Sequence, residues 1–220
     1  MKFEIKKELP ILIIVAIPFV YLYTIWNKLP NKVPLPWDIN GEVNRYGDKS
    51  ELILIPFILP FLVYVIFLLI PLIDPKGKIK KMGRKFQSLK LILTLAMSLL
   101  AIFIIHSALF KEMANPNVIL LGIGILYLVL GNYSKTIKPN YFIGIRTPWT
   151  LESEQVWTDT HKMAGKLWFV GGFLVVIFSL VLNYQLNMKI FLAITLVITV
   201  VPIIYSYLAF KSHKKHHLNT

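Results

Sequence analysis

The chain has 220 residues, 56% of them hydrophobic, with a mean hydropathy of +0.64 and no cysteine. Soluble domains are only about 45–50% apolar, and the absence of cysteine excludes disulfides, thiolate metal sites and a cysteine nucleophile. The net charge of +13 fits a nucleic-acid surface, an anionic lipid surface or membrane topology, and the placement of the charge separates these.

Six apolar segments stand out, at about 9–26, 52–73, 89–110, 117–134, 166–182 and 189–210. A run of about 18 apolar residues crosses the roughly 30 Å hydrocarbon core as a helix. In lipid only a helix or a closed barrel satisfies its own backbone. The first segment follows Lys2, Lys6 and Lys7 but lacks a small-x-small cleavage pattern, so it reads as an uncleaved span. Pro18, Pro56, Pro60 and Pro202 lie inside spans, where neighbouring helices re-satisfy the freed backbone groups.

Lys and Arg set the orientation. The N-terminus, the 74–90 loop, the 135–166 loop and the tail carry 18 of the 24, and the opposite loops carry six. The pattern predicts an all-α integral membrane protein with six transmembrane helices and both termini cytoplasmic. It also assigns the basic excess to topology and anionic lipid, not to direct nucleic-acid binding. The chain reads as one membrane domain, 1–220. Residues 9–75 carry the first two spans and an outer loop, and 89–210 carry four spans with a motif at 139–172.

The central stretches of the spans hold no Asp, Glu, Lys or Arg, which argues against ion-coupled transport. His106 lies well inside a span and reads first as a neutral histidine bonded to a neighbouring carbonyl, with a gate or proton relay as the alternative. His213, His216 and His217 fit a weak metal site or a flexible basic tail, and the flexible tail is the first reading. No H-E-x-x-H, G-x-S-x-G or Walker motif is present, so neither cofactor nor metal is expected, and a non-enzymatic protein is the first reading.

Two loops are long. In the outer one, Pro30, Pro34 and Pro36 favour extended backbone. Asp38, Asn40 and Gly41 supply a tight turn, predicting an ordered cap. Trp37 and Tyr46 fit either interface anchors or contacts for an external ligand.

In the inner loop, Thr150 is the expected N-cap of a helix over about 151–164, with Glu152 and Glu154 at its positive end. Helical spacing puts Glu154, Trp157, Thr158 and His161 on one stripe. Trp149 and Trp157 suit an interfacial helix before the fifth span. Arg146, beside Thr147 and Pro148, suits a phosphate or carboxylate. The segment reads as either a membrane anchor or a specific binding surface. A further reading is a small membrane enzyme or transporter, with Glu154 and His161 as an acid–base pair and Arg146 on a lipid phosphate.

The stretch LPNKVPLPWDINGEVNRYGDK resembles the DUF1648 segment, and IGIRTPWTLESEQVWTDTHKMAGKLWFVGG resembles the core motif of the SdpI family of bacterial immunity proteins. Members of the family often carry His before the Trp of the first motif, where Pro36 stands here. The resemblance implies protection of a bacterium against a secreted peptide toxin that acts on its membrane. It also implies signalling, in which the toxin-occupied protein holds a transcriptional repressor at the membrane. The residues this points to are Arg146, Thr147, Pro148, Trp149, Glu154, Trp157 and His161 in the inner motif. In the outer loop they are Pro34, Trp37, Asp38, Asn40, Gly41 and Tyr46.

Overall fold

The computed structural model describes residues 5–34, 45–109 and 115–218. Among these residues, six helices are long and apolar enough to cross a membrane, and they coincide with the six apolar segments. The chain divides into two compact units.

The first unit holds α1 (Ile5–Ile25), a two-stranded antiparallel ribbon of β1 (Lys32–Pro34) and β2 (Tyr46–Asp48), the second span α2 (Lys49–Ile73) and α4 (Arg84–Ser107). Strand register pairs Lys32 with Asp48 and Pro34 with Tyr46. Asp48 starts α2 through a capping box: its carboxylate accepts from Ser50 N at 2.9 Å, while Glu51 accepts from Asp48 N at 3.1 Å. Hydrogen bonds to Ser50 hold the Asp48 carboxyl below its ordinary pKa. Pro56 and Pro60 remove two backbone donors from α2, and the helix answers by changing pitch. It is 3-10 over Lys49–Ile53, π over Phe57–Phe61, and regular α from Leu62 to Ile73.

The ribbon closes over an apolar cluster of Leu22, Ile25, Leu29, Val33, Leu52, Ile105 and Ala108. Elsewhere in the unit, α1, α2 and α4 meet around a charge. Lys90, grouped above with the charges of the 74–90 loop, is instead 2% exposed. Its ammonium lies 2.6 and 2.8 Å from the two Glu8 carboxylate oxygens. Gln87 and the Tyr64 hydroxyl donate to the same carboxylate at 3.0 and 3.1 Å. About two turns further, Ser98 donates to Ile14 O at 3.0 Å. His106 bonds the Tyr21 hydroxyl through Nδ1 at 2.5 Å.

The second unit holds α3 (Lys78–Met82), α5 (Asn117–Ser134), α6 (Pro148–Glu152), α7 (Glu154–Val181) and α8 (Tyr184–Leu218). Helices α5 and α7 approach along glycines seven residues apart on each, Gly124 and Gly131 against Gly165 and Gly172. A Cβ at Gly131 would sit 2.5 Å from Phe169 N, and one at Gly172 would sit 2.6 Å from Leu128 N. Gly171, on the neighbouring face of α7, admits Ile194 and Ile198 of α8, and the Trp168 indole donates to Ile198 O at 3.0 Å. The turn between α7 and α8 is tied by Asn117, which donates to Leu182 O at 2.9 Å and accepts from Asn187 at 2.9 Å.

The expected separate helix over 151–164 is not found. Thr147, not Thr150, is the N-cap of the short helix α6. Ser153 then caps α7, which runs without a break from Glu154 into the fifth span. The break falls at Ser153 because its backbone is extended and its hydroxyl accepts from Val156 N. The tail also departs from expectation, remaining helical to Leu218.

Candidate functional site

The loop from Lys135 to Thr147 is folded onto the first turns of α7. Asn140 is 2% exposed and organises the loop. Its Oδ1 accepts from Phe142 N and Ile143 N at 2.8 and 2.7 Å, and its Nδ2 donates to Lys138 O and Ile143 O, each at 2.9 Å. All four polar valences of a buried amide are thus used.

Trp157 and His161 form the platform beneath this loop. They are one helical turn apart, both 1% exposed, with rings stacked at 4.2 Å. The Trp157 indole donates to Ile137 O at 2.8 Å. His161 Nδ1 faces Trp157 O at 2.8 Å, so this nitrogen carries the proton and donates. Nε2 then accepts from Ile145 N at 3.0 Å. Gly144 lies over the two rings with φ +110, and a Cβ there would collide with His161 Nε2. Only glycine satisfies both conditions.

Beyond the platform, Thr150 Oγ1 donates to Ile145 O at 2.8 Å, and Thr147 Oγ1 meets Ser206 Oγ of α8 at 3.0 Å. Trp149 packs its ring 5.1 Å from that of Tyr207. Asp159 and His213 are 3.4 Å apart, a second tie between α7 and the tail.

The proposed inner residues therefore divide. Thr147, Trp157 and His161 are buried and hold the loop in place. Arg146, Pro148 and Glu154 are exposed, and Trp149 is half-buried. Arg146 Nη1 donates to Tyr141 O at 2.6 Å. Among the described residues no ion pair joins Glu154 to His161. Both His161 nitrogens are instead engaged by backbone, at Ile145 N and Trp157 O.

In the outer motif, Pro34 is buried in the ribbon, and Tyr46 projects from it at 57% exposure. Arg45 pairs with Glu51 at 2.6 Å. Trp37, Asp38, Asn40 and Gly41 lie outside the described residues.

Two features escaped the sequence reading. Asn140 and Gly144 carried no role there, although Pro139-Asn140 in a loop is a turn signal, since an Asn side chain bonds the backbone two residues on. The Glu8–Lys90 pair was signalled by polar positions at helical spacing, Gln87, Lys90, Thr94 and Ser98, in an otherwise apolar helix.

Residues 136–206, which include the loop, the platform and most of α7 and α8, match the SdpI/YfhL protein family. Residues 13–59, which include the ribbon, match a domain of unknown function, DUF1648. The chain is also similar to "Immunity protein SdpI" of Bacillus subtilis (strain 168), 29% identical over 174 residues, covering 79% of this chain and 82% of that protein. No solved structure matches the chain. The chain is a multi-pass bacterial membrane protein, similar to the SdpI/YfhL family over residues 136–206, with a segment similar to DUF1648 ahead of that region.

Proposed function

We propose that the protein confers immunity on a bacterium against a secreted, membrane-active peptide toxin. The observation that carries this reading is the similarity to an immunity protein along most of both chains. The inner motif supports it, since its histidine and tryptophan fix a loop and leave exposed groups suited to binding, not to catalysis. In this reading both termini are cytoplasmic, and the ribbon with Tyr46 and the 35–44 segment faces the toxin. The exposed inner residues around Glu152 and Glu154 face a cytoplasmic transcriptional repressor. Membrane lipids are the remaining partner.

The test is survival of a toxin-sensitive bacterium expressing the chain. Full killing, with the protein present in the membrane fraction, overturns the reading. Reporter fusions after residues 80, 150 and 215 are expected to read cytoplasmic, and fusions near 40 and 113 external. An external signal at 150 reverses the faces. A co-expressed repressor that stays soluble under toxin removes the signalling part alone.

A further inference from the structure

Two basic segments, distant in sequence, are joined in the second unit. The Tyr133 hydroxyl, in the last turn of α5, donates to Lys85 O. The Lys85 ammonium in turn reaches Thr136 O at 3.4 Å. Tyr141 receives a cation from each segment. Lys76 Nζ lies 5.2 Å above its ring, and Arg146 Nη1 bonds its carbonyl oxygen at 2.6 Å.

Residues 74–85 and 135–146 carry nine Lys and Arg against one acid, Asp74. That acid does not neutralise the patch from outside. It is 9% exposed, and its carboxylate is engaged by Ile79 N at 2.7 Å and Lys76 N at 3.3 Å. Lys76, Lys85 and Arg146 are all exposed.

Depth selects the partner. Helix α5 has 18 residues, about 27 Å at 1.5 Å per residue. It therefore ends where the hydrocarbon core, about 30 Å thick, ends. Residues just beyond Ser134 enter the headgroup layer, where phosphates are the abundant anions.

We propose that Lys76, Lys85 and Arg146, gathered about Tyr141, bind the phosphate of an anionic phospholipid headgroup. Arg146 spends one N–H on Tyr141 O and keeps others for phosphate oxygens in a planar fork, which a lysine cannot imitate. The inference rests on the chain being a membrane protein and is independent of the immunity reading.

The full chain is placed in nanodiscs of phosphatidylcholine containing a minority of phosphatidylglycerol, and co-purifying lipid is counted by native mass spectrometry. The wild type is expected to retain phosphatidylglycerol selectively. Lys76→Gln with Arg146→Gln is expected to reduce retention roughly thirtyfold, the loss of two interfacial cations. Lys211→Gln with Lys214→Gln removes the same charge from exposed positions on α8 and is expected to reduce it at most about twofold. Matching melting temperatures for both double variants exclude unfolding as the cause. Equal losses from the two pairs would reduce the effect to net charge and overturn the site. Displacement of the lipid by millimolar inorganic phosphate would assign the site to free phosphate instead. Binding of an acidic peptide to the wild type but not to the Lys76/Arg146 variant, with no lipid preference, would assign it to a protein and overturn the proposal.

Discussion

In the first unit α1, α2 and α4 meet around a buried ion pair, whereas in the second α5 and α7 meet where neither helix has a side chain. The Glu8–Lys90 pair is satisfied from four directions, by both charges and by Gln87 and Tyr64. Such a pair contributes little net stability against apolar residues of similar volume, but it penalises severely the loss of one member. The glycine seam works by contact. Backbone reaches backbone, dispersion and close packing do the rest, and no polar group needs a partner. The first arrangement is sensitive to deletion and the second to addition.

Opposite kinds of substitution should therefore disable the two units. The largest effect is expected in the second unit from Gly172→Val, whose added atoms would meet Leu128 N and Gly124 O. Backbone cannot rotate aside, so α5 and α7 must separate, at a cost of about 3 kcal/mol or more. Loss of most folded protein from detergent extracts, read by fluorescence size-exclusion chromatography, is the expected result. A wild-type profile would mean that the seam is loose. Gly122→Val, where a Cβ meets nothing within 4 Å, is the control, placed on the facing helix α5.

Next is Lys90→Met, expected to destabilise by about 3–5 kcal/mol because Glu8 is left buried and unpaired. Adding Glu8→Gln should restore most of the loss. Thermal melts of the two variants decide this, and no recovery in the double variant would show that the pair itself supplies the stability.

Smaller effects are expected at the platform. Trp157→Phe leaves Ile137 O without its donor, about 1–3 kcal/mol. Gly144→Ala costs a similar amount from the positive φ and the His161 contact. Both should raise trypsin cleavage after Lys135 and Arg146, the basic residues of the loop that no proline follows. Arg146→Lys, at an exposed hydrogen bond, should change stability by less than about 1 kcal/mol while lowering survival under toxin. Unchanged survival would remove Arg146 from the immunity site.

The six spans were legible because span length is set by the bilayer and shows as hydropathy. Extended backbone at Pro34 was legible from the prolines of the outer loop, but its pairing with Tyr46 was not, and the expected turn at Asn40–Gly41 lies outside the described residues. Helix starts were misread by three residues, Thr150 for Thr147, because both threonines have the right chemistry and only the backbone conformation distinguishes them. Lys90 was misplaced for a different reason. A lysine at the head of a span usually faces water, and only the contact with a residue 82 positions away reverses that. Trp157 and His161 were recognised as important but expected to face a partner or a headgroup. Helical spacing gives the stripe they share, yet not what covers it, and the cover is the preceding loop.

The seven-residue spacing of glycines on both α5 and α7 has a mechanical meaning. A helix pair seated on smooth apolar side chains can creep by fractions of an ångström. Here each glycine is a notch that holds the opposing backbone, and a one-residue advance of α7 would carry Lys166 and Phe173 into the notches now filled by Gly165 and Gly172. The next equivalent seating lies one heptad away, about 10 Å along the axis. The pair thus behaves as a detent. Small pushes on the 136–150 loop are resisted without displacement, and any movement of α7 relative to α5 is a discrete jump or none.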